Sequence, residues 1–242
     1  MSMEANPNFS LHGHRLFNHS KPIDLTSYDG SKARSAVRVL DSNPITKKIH
    51  EGVQQGRASG ILWQSLVQDY VEPGMRVLDI GIGTGHIAHQ LAGMGLEVTG
   101  VDIADIRTTS NQASNLILAE GHFLPVKPES FDIVTLIDVL HFCRSQEALL
   151  SEAYQALKPG GAVIVVEDEF TKYGVDPFFG LATNLMNRIL NCQPNLNPYF
   201  FHSQDELRDM LIDADFGYFK ENSSRWGLGI FQSVSILGLK LP

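Results

Sequence analysis

Short apolar runs alternate with helix-compatible stretches through the middle of the chain. The runs are MRVLDI, LEVTGVD, FDIVTLID and GAVIVVE, which begin at residues 75, 96, 131 and 161. The stretches between them include 85–94 and 146–157, which are compatible with surface helices. Strands that are apolar on both faces and separated by helices are typical of a parallel sheet covered on both sides. The pattern therefore predicts a doubly wound α/β fold.

The two ends of the chain and one internal segment depart from this alternation. We expect residues 1–56, which begin with a polar tail rich in Asn and His, to form a flap or lid, and residues 57–242 to form the α/β domain. Residues 171–202 carry a helical apolar stripe between loops with proline and aromatic residues, which predicts a lid insertion after the fifth strand. The remainder predicts a helix with a capping box at Ser203 and Glu206, then two strands around 216–221 and 232–239.

Three glycines occupy alternate positions where the first predicted strand ends. The sequence VLDIGIGTG places Gly81, Gly83 and Gly85 shortly after Asp79. Ligands of open α/β sheets bind outside the carboxyl ends of the strands, where the strand order reverses, so this turn is a candidate ligand loop. Asp102 ends the second predicted strand, 21 residues after Gly81, where a carboxylate can bind both hydroxyls of a ribose.

Two kinds of adenosine-containing ligand fit these features to different degrees: a dinucleotide, and a ligand that carries an ammonium group. A dinucleotide site requires G-x-G-x-x-G, but here the third glycine comes one place early and His86 stands at the expected position. Asp79 would also repel a pyrophosphate, whereas it would favour a ligand that carries an ammonium group. The spacing therefore disfavours a dinucleotide, and an NAD(P)-dependent reductase stays open as the alternative.

The stretch VLDIGIGTG resembles the first motif of the class I S-adenosylmethionine-dependent methyltransferases. Later segments agree with the same family in order: V-D-I at 101–103, Glu120 followed by Leu-Pro, F-D-I-V at 131–134 and L-K-P-G-G at 157–161. The agreement covers roughly residues 75–168 and is similar in particular to the type 11 branch, which acts on small molecules such as quinones, sterols and natural products. The resemblance implies a Rossmann-like, mostly parallel seven-stranded sheet with helices on both faces.

The resemblance also implies a set of cofactor-binding residues. The methionine part of S-adenosylmethionine would be held by the first turn, the ribose by the acid that ends the second strand, and the adenine by residues after the second and third strands. The turn after the fourth strand would line the floor beneath the sulfonium. The methionine part corresponds to Asp79, Gly81 and Gly83, and the ribose to Asp102. The adenine corresponds to Ile103, Glu120 and Gly121, and the floor beneath the sulfonium to Asp138 and the residues up to His141.

Two histidines are candidates for a general base. His141 follows the fourth strand in FDIVTLIDVLH, at the end of the sheet where the cofactor would lie, and His202 follows an aromatic run in the predicted insertion. An imidazole titrates near neutral pH, as the deprotonation of an acceptor hydroxyl requires. The alternative for each histidine is that it only forms part of the pocket wall.

Aromatic residues in and near the predicted insertion are candidates for binding the acceptor. An aromatic cap over the open end of a sheet would enclose a small apolar molecule and exclude water. We expect contacts from Phe178, Phe179, Tyr199 and Trp226. The acids at 167–169 could dock a cationic amine or hold Mg²⁺, but a solvated strand end is favoured and no metal is predicted.

Composition narrows the partners further. The chain of 242 residues has 19 Lys and Arg against 27 Asp and Glu, a net charge of −8, which disfavours nucleic acid or an anionic membrane surface as the main partner. Its apolar runs are shorter than a membrane span, and its two cysteines are too few for a disulfide framework. We expect a cytoplasmic enzyme, with a homodimer allowed, that methylates a small, mostly apolar or aromatic acceptor of natural-product or quinone-like type. A non-catalytic methyltransferase-like binding subunit is the remaining alternative.

Overall fold

The computed structural model of the protein describes most of the predicted α/β domain. The described residues are 70–107, 114–121, 123–143, 145–169, 202–226 and 231–242, together with Pro44, and the side chains at 168–169, 225–226 and 231–232 are outside the description. The predicted flap at 1–56, apart from Pro44, and the predicted insertion at 171–202, apart from its last residue, therefore lie outside the described residues.

Seven strands and three α-helices lie wholly within the described residues. The strands are β1 (Arg76–Ile80), β2 (Glu97–Asp102), β3 (Asn115–Leu118), β4 (Phe131–Ile137), β5 (Leu157–Glu169), β6 (Phe216–Trp226) and β7 (Phe231–Lys240). The helices are α1 (His86–Gly93), α2 (Gln146–Ala156) and α3 (Gln204–Asp213), and a 3₁₀ helix covers Leu140–Phe142.

The strands form one sheet in the order β3-β2-β1-β4-β5-β7-β6. Strands β1 to β5 run parallel to one another, whereas β7 is antiparallel to both β5 and β6. The chain order reverses between β1 and β4, so the carboxyl ends of these two strands border a crevice. The predicted Rossmann-like, mostly parallel seven-stranded sheet is confirmed.

The core lies in two layers, one on each face of the sheet. Ala88 and Leu91 of α1 lie in one layer with Ile164 of β5. Leu149 of α2 and Leu207 of α3 lie in the other layer, which also holds alternate residues of the same strand. Because successive side chains of a strand point to opposite faces, each central strand contributes to both layers. The prediction of helices on both faces is also confirmed.

Local sequence signals fix where α2 and α3 begin. The Ser203 side chain accepts a hydrogen bond from the Glu206 N–H at 3.3 Å, and Glu206 Oε2 accepts one from the Ser203 N–H at 2.8 Å. This reciprocal pair is the predicted capping box. The side chain of Ser145 caps α2 by accepting from the Ala148 N–H at 3.2 Å. Both helices therefore begin at the carboxyl end of the sheet, each with one N–H of its first turn bonded to a capping serine.

Strands β6 and β7 are longer than the apolar pattern predicts. The polar residues at 222–224 extend β6, because their backbone pairs with β7 in the register Asn222↔Ser235 and Ser223↔Val234. Strand β6 is the edge of the sheet, where one face can carry polar side chains in contact with water. Hydrophobic periodicity alone therefore ends this strand too early.

A buried lysine joins the end of β7 to the end of α2. Lys240 is 8% exposed, and its Nζ donates hydrogen bonds to the carbonyl oxygens of Leu157 at 2.8 Å and Tyr154 at 3.1 Å. The ammonium group also lies 4.7 Å from the centre of the Tyr154 ring and 3.6 Å from Glu129 Oε1. Since a helix C-terminus carries partial negative charge, a cation here stabilises both α2 and the last strand.

Replacing Lys240 with Met should lower the free energy of unfolding by about 1–3 kcal/mol, because two carbonyls lose a charged donor. Urea denaturation followed by circular dichroism would measure this loss. Lys127→Met makes the same exchange at an exposed position and is the matched control. Equal stability losses in the two variants would show that the Lys240 contacts do not stabilise the fold.

Candidate active site

The turn from β1 to α1 contains three glycines in left-handed backbone conformations. The φ angle is 77° at Gly81, 52° at Gly83 and 78° at Gly85. Residues with a Cβ rarely adopt these angles, so the turn requires glycine irrespective of any ligand. Its conformation turns the chain from the end of β1 into the first residue of α1.

Gly81 lies against the turn that follows β4. A Cβ on Gly81 would lie only 2.6 Å from Cγ2 of Val139, and the Gly81 N–H donates to the Val101 carbonyl at 2.8 Å. The missing side chain therefore lets the turns after β1 and β4 pack together. Its expected role at the methionine end of the cofactor stays a prediction.

Gly83 is not crowded by the described part of the chain. Among those residues, a Cβ on Gly83 would meet only the Gly81 carbonyl oxygen, at 3.8 Å. The Gly83 N–H donates to Asp102 Oδ2 at 2.9 Å, and the Ala104 N–H donates to Asp102 Oδ1 at 3.2 Å. Burial raises the pKa of Asp102 above its ordinary value in spite of these bonds. Asp102 thus holds the glycine turn against the end of β2 and leaves a surface over Gly83 that a ligand can approach closely.

Asp79 is a buried carboxylate next to this turn, with 2% of its surface exposed. Thr135 Oγ1 donates to Asp79 Oδ1 at 2.7 Å, whereas Oδ2 has no hydrogen-bond partner among the described residues. Burial raises the Asp79 pKa to about 7; the Thr135 bond opposes this rise, and the nearby Asp102 charge adds to it. A buried carboxylate oxygen without a donor fits a ligand that brings its own ammonium group.

The other predicted cofactor residues also lie at strand ends. Ile103, after β2, is 38% exposed and offers an apolar surface that an adenine ring could cover. Glu120 and Gly121 follow β3, and Glu120 is exposed. Asp138 follows β4 with a φ of 53°, and its N–H donates to the Val166 carbonyl at 2.8 Å. All four lie at the predicted edge, and their contacts with the cofactor stay predictions.

Glu167 connects β5 to the turn after β4. Its Oε1 accepts hydrogen bonds from the N–H groups of Val139 at 2.9 Å and Leu140 at 2.7 Å. Its Oε2 lies 2.5 Å from His141 Nδ1. One carboxylate therefore fixes both the backbone of this turn and the ring of the first predicted base.

The sequence-based interpretation of Glu167 as part of a solvated strand end is wrong, because Glu167 is 2% exposed. The parallel register pairs Ile137 with Val166, so the next side chain along β5 lies beside the turn that follows β4. The available signal was an acid directly after five apolar residues, in AVIVVE. The side chains of Asp168 and Glu169 lie outside the described residues.

Gln146 links the second predicted base to the same turn. Gln146 begins α2 and is 7% exposed. Its amide nitrogen donates to the Leu140 carbonyl at 3.0 Å. Its amide oxygen lies 2.6 Å from Nε2 of His202. Burial lowers the pKa of His202, and three carboxylates oppose this shift: Glu206, Glu167 and Glu147. The structure thus brings His141 and His202 to one end of the sheet, through a glutamine that sequence reasoning missed.

The predicted acceptor-binding residues are not described. Phe178, Phe179 and Tyr199 lie outside the described residues, and Trp226 ends β6 with only its backbone described. Within the described part of the chain, no three His, Cys, Asp or Glu side chains come together in a way that could hold a metal ion. None of the helices described there has the length and apolar character that a membrane crossing requires.

Comparison with known proteins identifies the family. A family model described as "Methyltransferase domain" matches residues 78–165. The ubiquinone/menaquinone biosynthesis C-methyltransferase UbiE of Laribacter hongkongensis is 32% identical over 170 residues, which cover 61% of this chain and 69% of that protein. This chain belongs to the class I S-adenosylmethionine-dependent methyltransferases. The demethylmenaquinone methyltransferase of Renibacterium salmoninarum is a second relative of this methyltransferase. It is 31% identical over 171 residues, which cover 63% of this chain and 71% of that protein.

Solved structures share the fold of this methyltransferase. A chain in the complex of the Haloferax volcanii Trm112 methyltransferase activator with a methyltransferase has a TM-score of 0.65 at 15% identity, and the match covers 92% of this chain and 100% of that one. Phosphoethanolamine N-methyltransferase 2 of Haemonchus contortus, in complex with S-adenosylmethionine, has a TM-score of 0.56 at 17% identity. The match covers 71% of this chain and 50% of that one. The methyltransferase uses S-adenosylmethionine, as predicted, and the reductase alternative is set aside.

Replacing Asp79 with Asn tests the unpartnered carboxylate. Because the folded-state pKa of about 7 exceeds the ordinary 3.8, the stability that protonation contributes is full below about pH 3.8 and is lost as the pH rises through about 7. The uncharged Asp79→Asn should therefore unfold at a higher temperature than the wild type at about pH 8, and the difference should shrink at about pH 5.

The same variant should bind S-adenosylhomocysteine roughly tenfold or more weakly, because the ligand's ammonium group loses a charged partner. Thermal melts without ligand and calorimetric titration would measure the two effects, with Asp213→Asn on the exposed end of α3 as the control. Unchanged affinity together with an unchanged melting temperature in Asp79→Asn would contradict the ammonium site.

Proposed function

We propose that this methyltransferase acts on a small, mostly apolar or aromatic acceptor, and that the acceptor is a hydroxylated ring of quinone-like type. Support comes from the two relatives at 32% and 31% identity. The name of the first is a ubiquinone/menaquinone biosynthesis C-methyltransferase, and the name of the second is a demethylmenaquinone methyltransferase. The acidic chain also suits a neutral small molecule better than a polyanion.

The observation that carries the proposal is the arrangement of the buried Asp79 and the half-buried Asp102 around the glycine turn. Asp79 Oδ2 would accept from the ammonium group of the methionine part, and Asp102 would bind the ribose hydroxyls. The open side of Gly83 would let the ligand lie against the backbone. When bound, S-adenosylmethionine supplies an electrophilic methyl group, and the sulfur keeps the electron pair of the broken S–C bond.

The protein's own contribution is alignment, exclusion of water and removal of one proton. Val139, two residues before His141, packs against the glycine turn, which supports a position of the His141 ring near the cofactor pocket. Its imidazole would take the proton of the acceptor hydroxyl. The resulting phenolate-type anion is nucleophilic at oxygen and at ring carbon, and either atom could form the new bond to the methyl carbon. After attack by carbon, the ring carbon would give up its proton to water and the oxygen would recover the proton held by His141, which restores the hydroxylated aromatic ring.

The predicted flap at 1–56 and the predicted insertion at 171–202 would cover the acceptor. Closure of such segments excludes water from the reaction, and their opening would release the products. Contacts with the acceptor are assigned to Phe178, Phe179, Tyr199 and Trp226, because rigid aromatic surfaces bind flat apolar rings well.

Methyl transfer should be detectable with a reduced naphthoquinone as acceptor and S-adenosylmethionine labelled in its methyl group. We expect the label to enter the naphthoquinol, and a non-hydroxylated naphthalene of similar size to stay unlabelled. Mass spectrometry of the product would locate the methyl group on oxygen or on carbon. Transfer to an amine in preference to the naphthoquinol would contradict the proposed acceptor class.

Asp102→Ala should weaken the binding of S-adenosylhomocysteine at least roughly tenfold, because both the ribose contacts and the bond to Gly83 are lost. Asp213→Ala removes an exposed carboxylate of α3 and should bind like the wild type. Calorimetric titration gives both affinities. Tight binding of the cofactor with no turnover of any acceptor would indicate the non-catalytic binding subunit instead.

A further inference from the structure

We propose that Glu167 is a positioning residue that fixes the tautomer of His141, so that His141 and not His202 takes the proton of the acceptor. This inference rests on the proposed function, since it concerns how the same site would deprotonate a hydroxyl. It depends on the hydrogen bonds that hold the two imidazoles, which differ in both the ring nitrogen and the kind of partner.

Glu167 determines which nitrogen of His141 carries a proton. A carboxylate only accepts hydrogen bonds, so Nδ1, at 2.5 Å from Oε2, must be the N–H in that pair. The neutral ring then keeps its lone pair on Nε2. The other carboxylate oxygen accepts hydrogen bonds from the N–H groups of Val139 and Leu140, so the Glu167 side chain cannot rotate without breaking these two hydrogen bonds.

Gln146 holds His202 in the opposite way. The Leu140 carbonyl only accepts, so the Gln146 amide must direct its NH₂ group there at 3.0 Å. Its oxygen then faces His202 Nε2 at 2.6 Å, and this nitrogen must be the donor. The neutral His202 ring therefore keeps its lone pair on Nδ1, with a neutral amide as its partner.

The difference in partners separates the roles of the two histidines. The Glu167 carboxylate stabilises the positive ring that forms when His141 takes a proton. His202 has no such partner on Nε2, and burial lowers its pKa, although Glu206, Glu147 and Glu167 oppose the shift. His202 can therefore accept a hydrogen bond from the acceptor while it stays neutral, and His141 is the residue that accepts the proton.

Nitrogen-15 NMR of the imidazoles tests the tautomer directly in the wild type bound to S-adenosylhomocysteine. The His141 signals can be assigned by their absence in His141→Gln. In the neutral His141 ring we expect the single proton on Nδ1, because Nδ1 must donate to the Glu167 carboxylate. A ring protonated on Nε2 would overturn the proposal, whether or not any acceptor is methylated.

Glu167→Gln is the informative variant, because its amide oxygen can still accept the hydrogen bonds from the Val139 and Leu140 N–H groups while its NH₂ group faces His141 Nδ1. Nδ1 must then accept, the proton moves to Nε2, and the lone pair leaves the position from which it served as base. We expect kcat to fall roughly 10²–10⁴-fold, with the dissociation constant of S-adenosylhomocysteine and the KM of the acceptor within about threefold of the wild type.

The same exchange at the exposed Glu97, which begins β2 at the opposite end of the sheet, is the matched control and should leave kcat unchanged. A changed tautomer in Glu167→Gln with an unchanged kcat would overturn the role of His141 as the base. Absence of methyl transfer in the wild type would reject the proposed function, and the wild-type NMR result would still decide whether Glu167 sets the tautomer.

Discussion

The reversal of strand order between β1 and β4 is the constraint on which the rest of the site depends. At this point the connections leave the two carboxyl ends in opposite directions, and a crevice opens between them. The glycine turn lies on one side of the crevice, and the turn at 139–141 lies on the other. Their contact, in which Val139 occupies the space that a side chain on Gly81 would need, sets how closely a cofactor and an acceptor could approach each other.

The two buried carboxylates at this edge have opposite surroundings. Glu167 accepts three hydrogen bonds and keeps one turn in place. Asp79 accepts one, from Thr135, and its other oxygen has no donor within the described residues. A buried charge without a donor costs stability, so such a group is favoured only where a ligand supplies the missing partner. Glu167 therefore stabilises the structure, whereas Asp79 is suited to bind a ligand.

Local patterns predicted the parts of the fold that depend on local physics. The capping box of α3 and the glycine turn after β1 follow from a few adjacent residues, and both are as expected. The full length of β6 was missed, because the backbone pairing of polar residues with β7 leaves no trace in hydrophobic periodicity. The position of β7 between β5 and β6 was not predicted, because strand order depends on long-range pairing that local patterns do not record.

The candidate site divides in the same way. Asp79 and Asp102 could be identified because they stand at fixed spacings around the glycines, whereas Glu167 and Gln146 could not. Their partners lie 6 to 56 residues away in the chain, and they meet only after the register of β4 against β5 is set. Sequence thus predicted groups that would touch the cofactor more readily than groups that hold other side chains in place.

Hydrogen–deuterium exchange with and without S-adenosylhomocysteine tests the location of the site most directly. We predict slower exchange, with ligand bound, at the backbone amides of 81–85, 102–104 and 138–141, and unchanged exchange along β6 at the far edge of the sheet. Protection that leaves the glycine turn and the turn after β4 unaffected would contradict the assignment of the crevice between β1 and β4 as the active site.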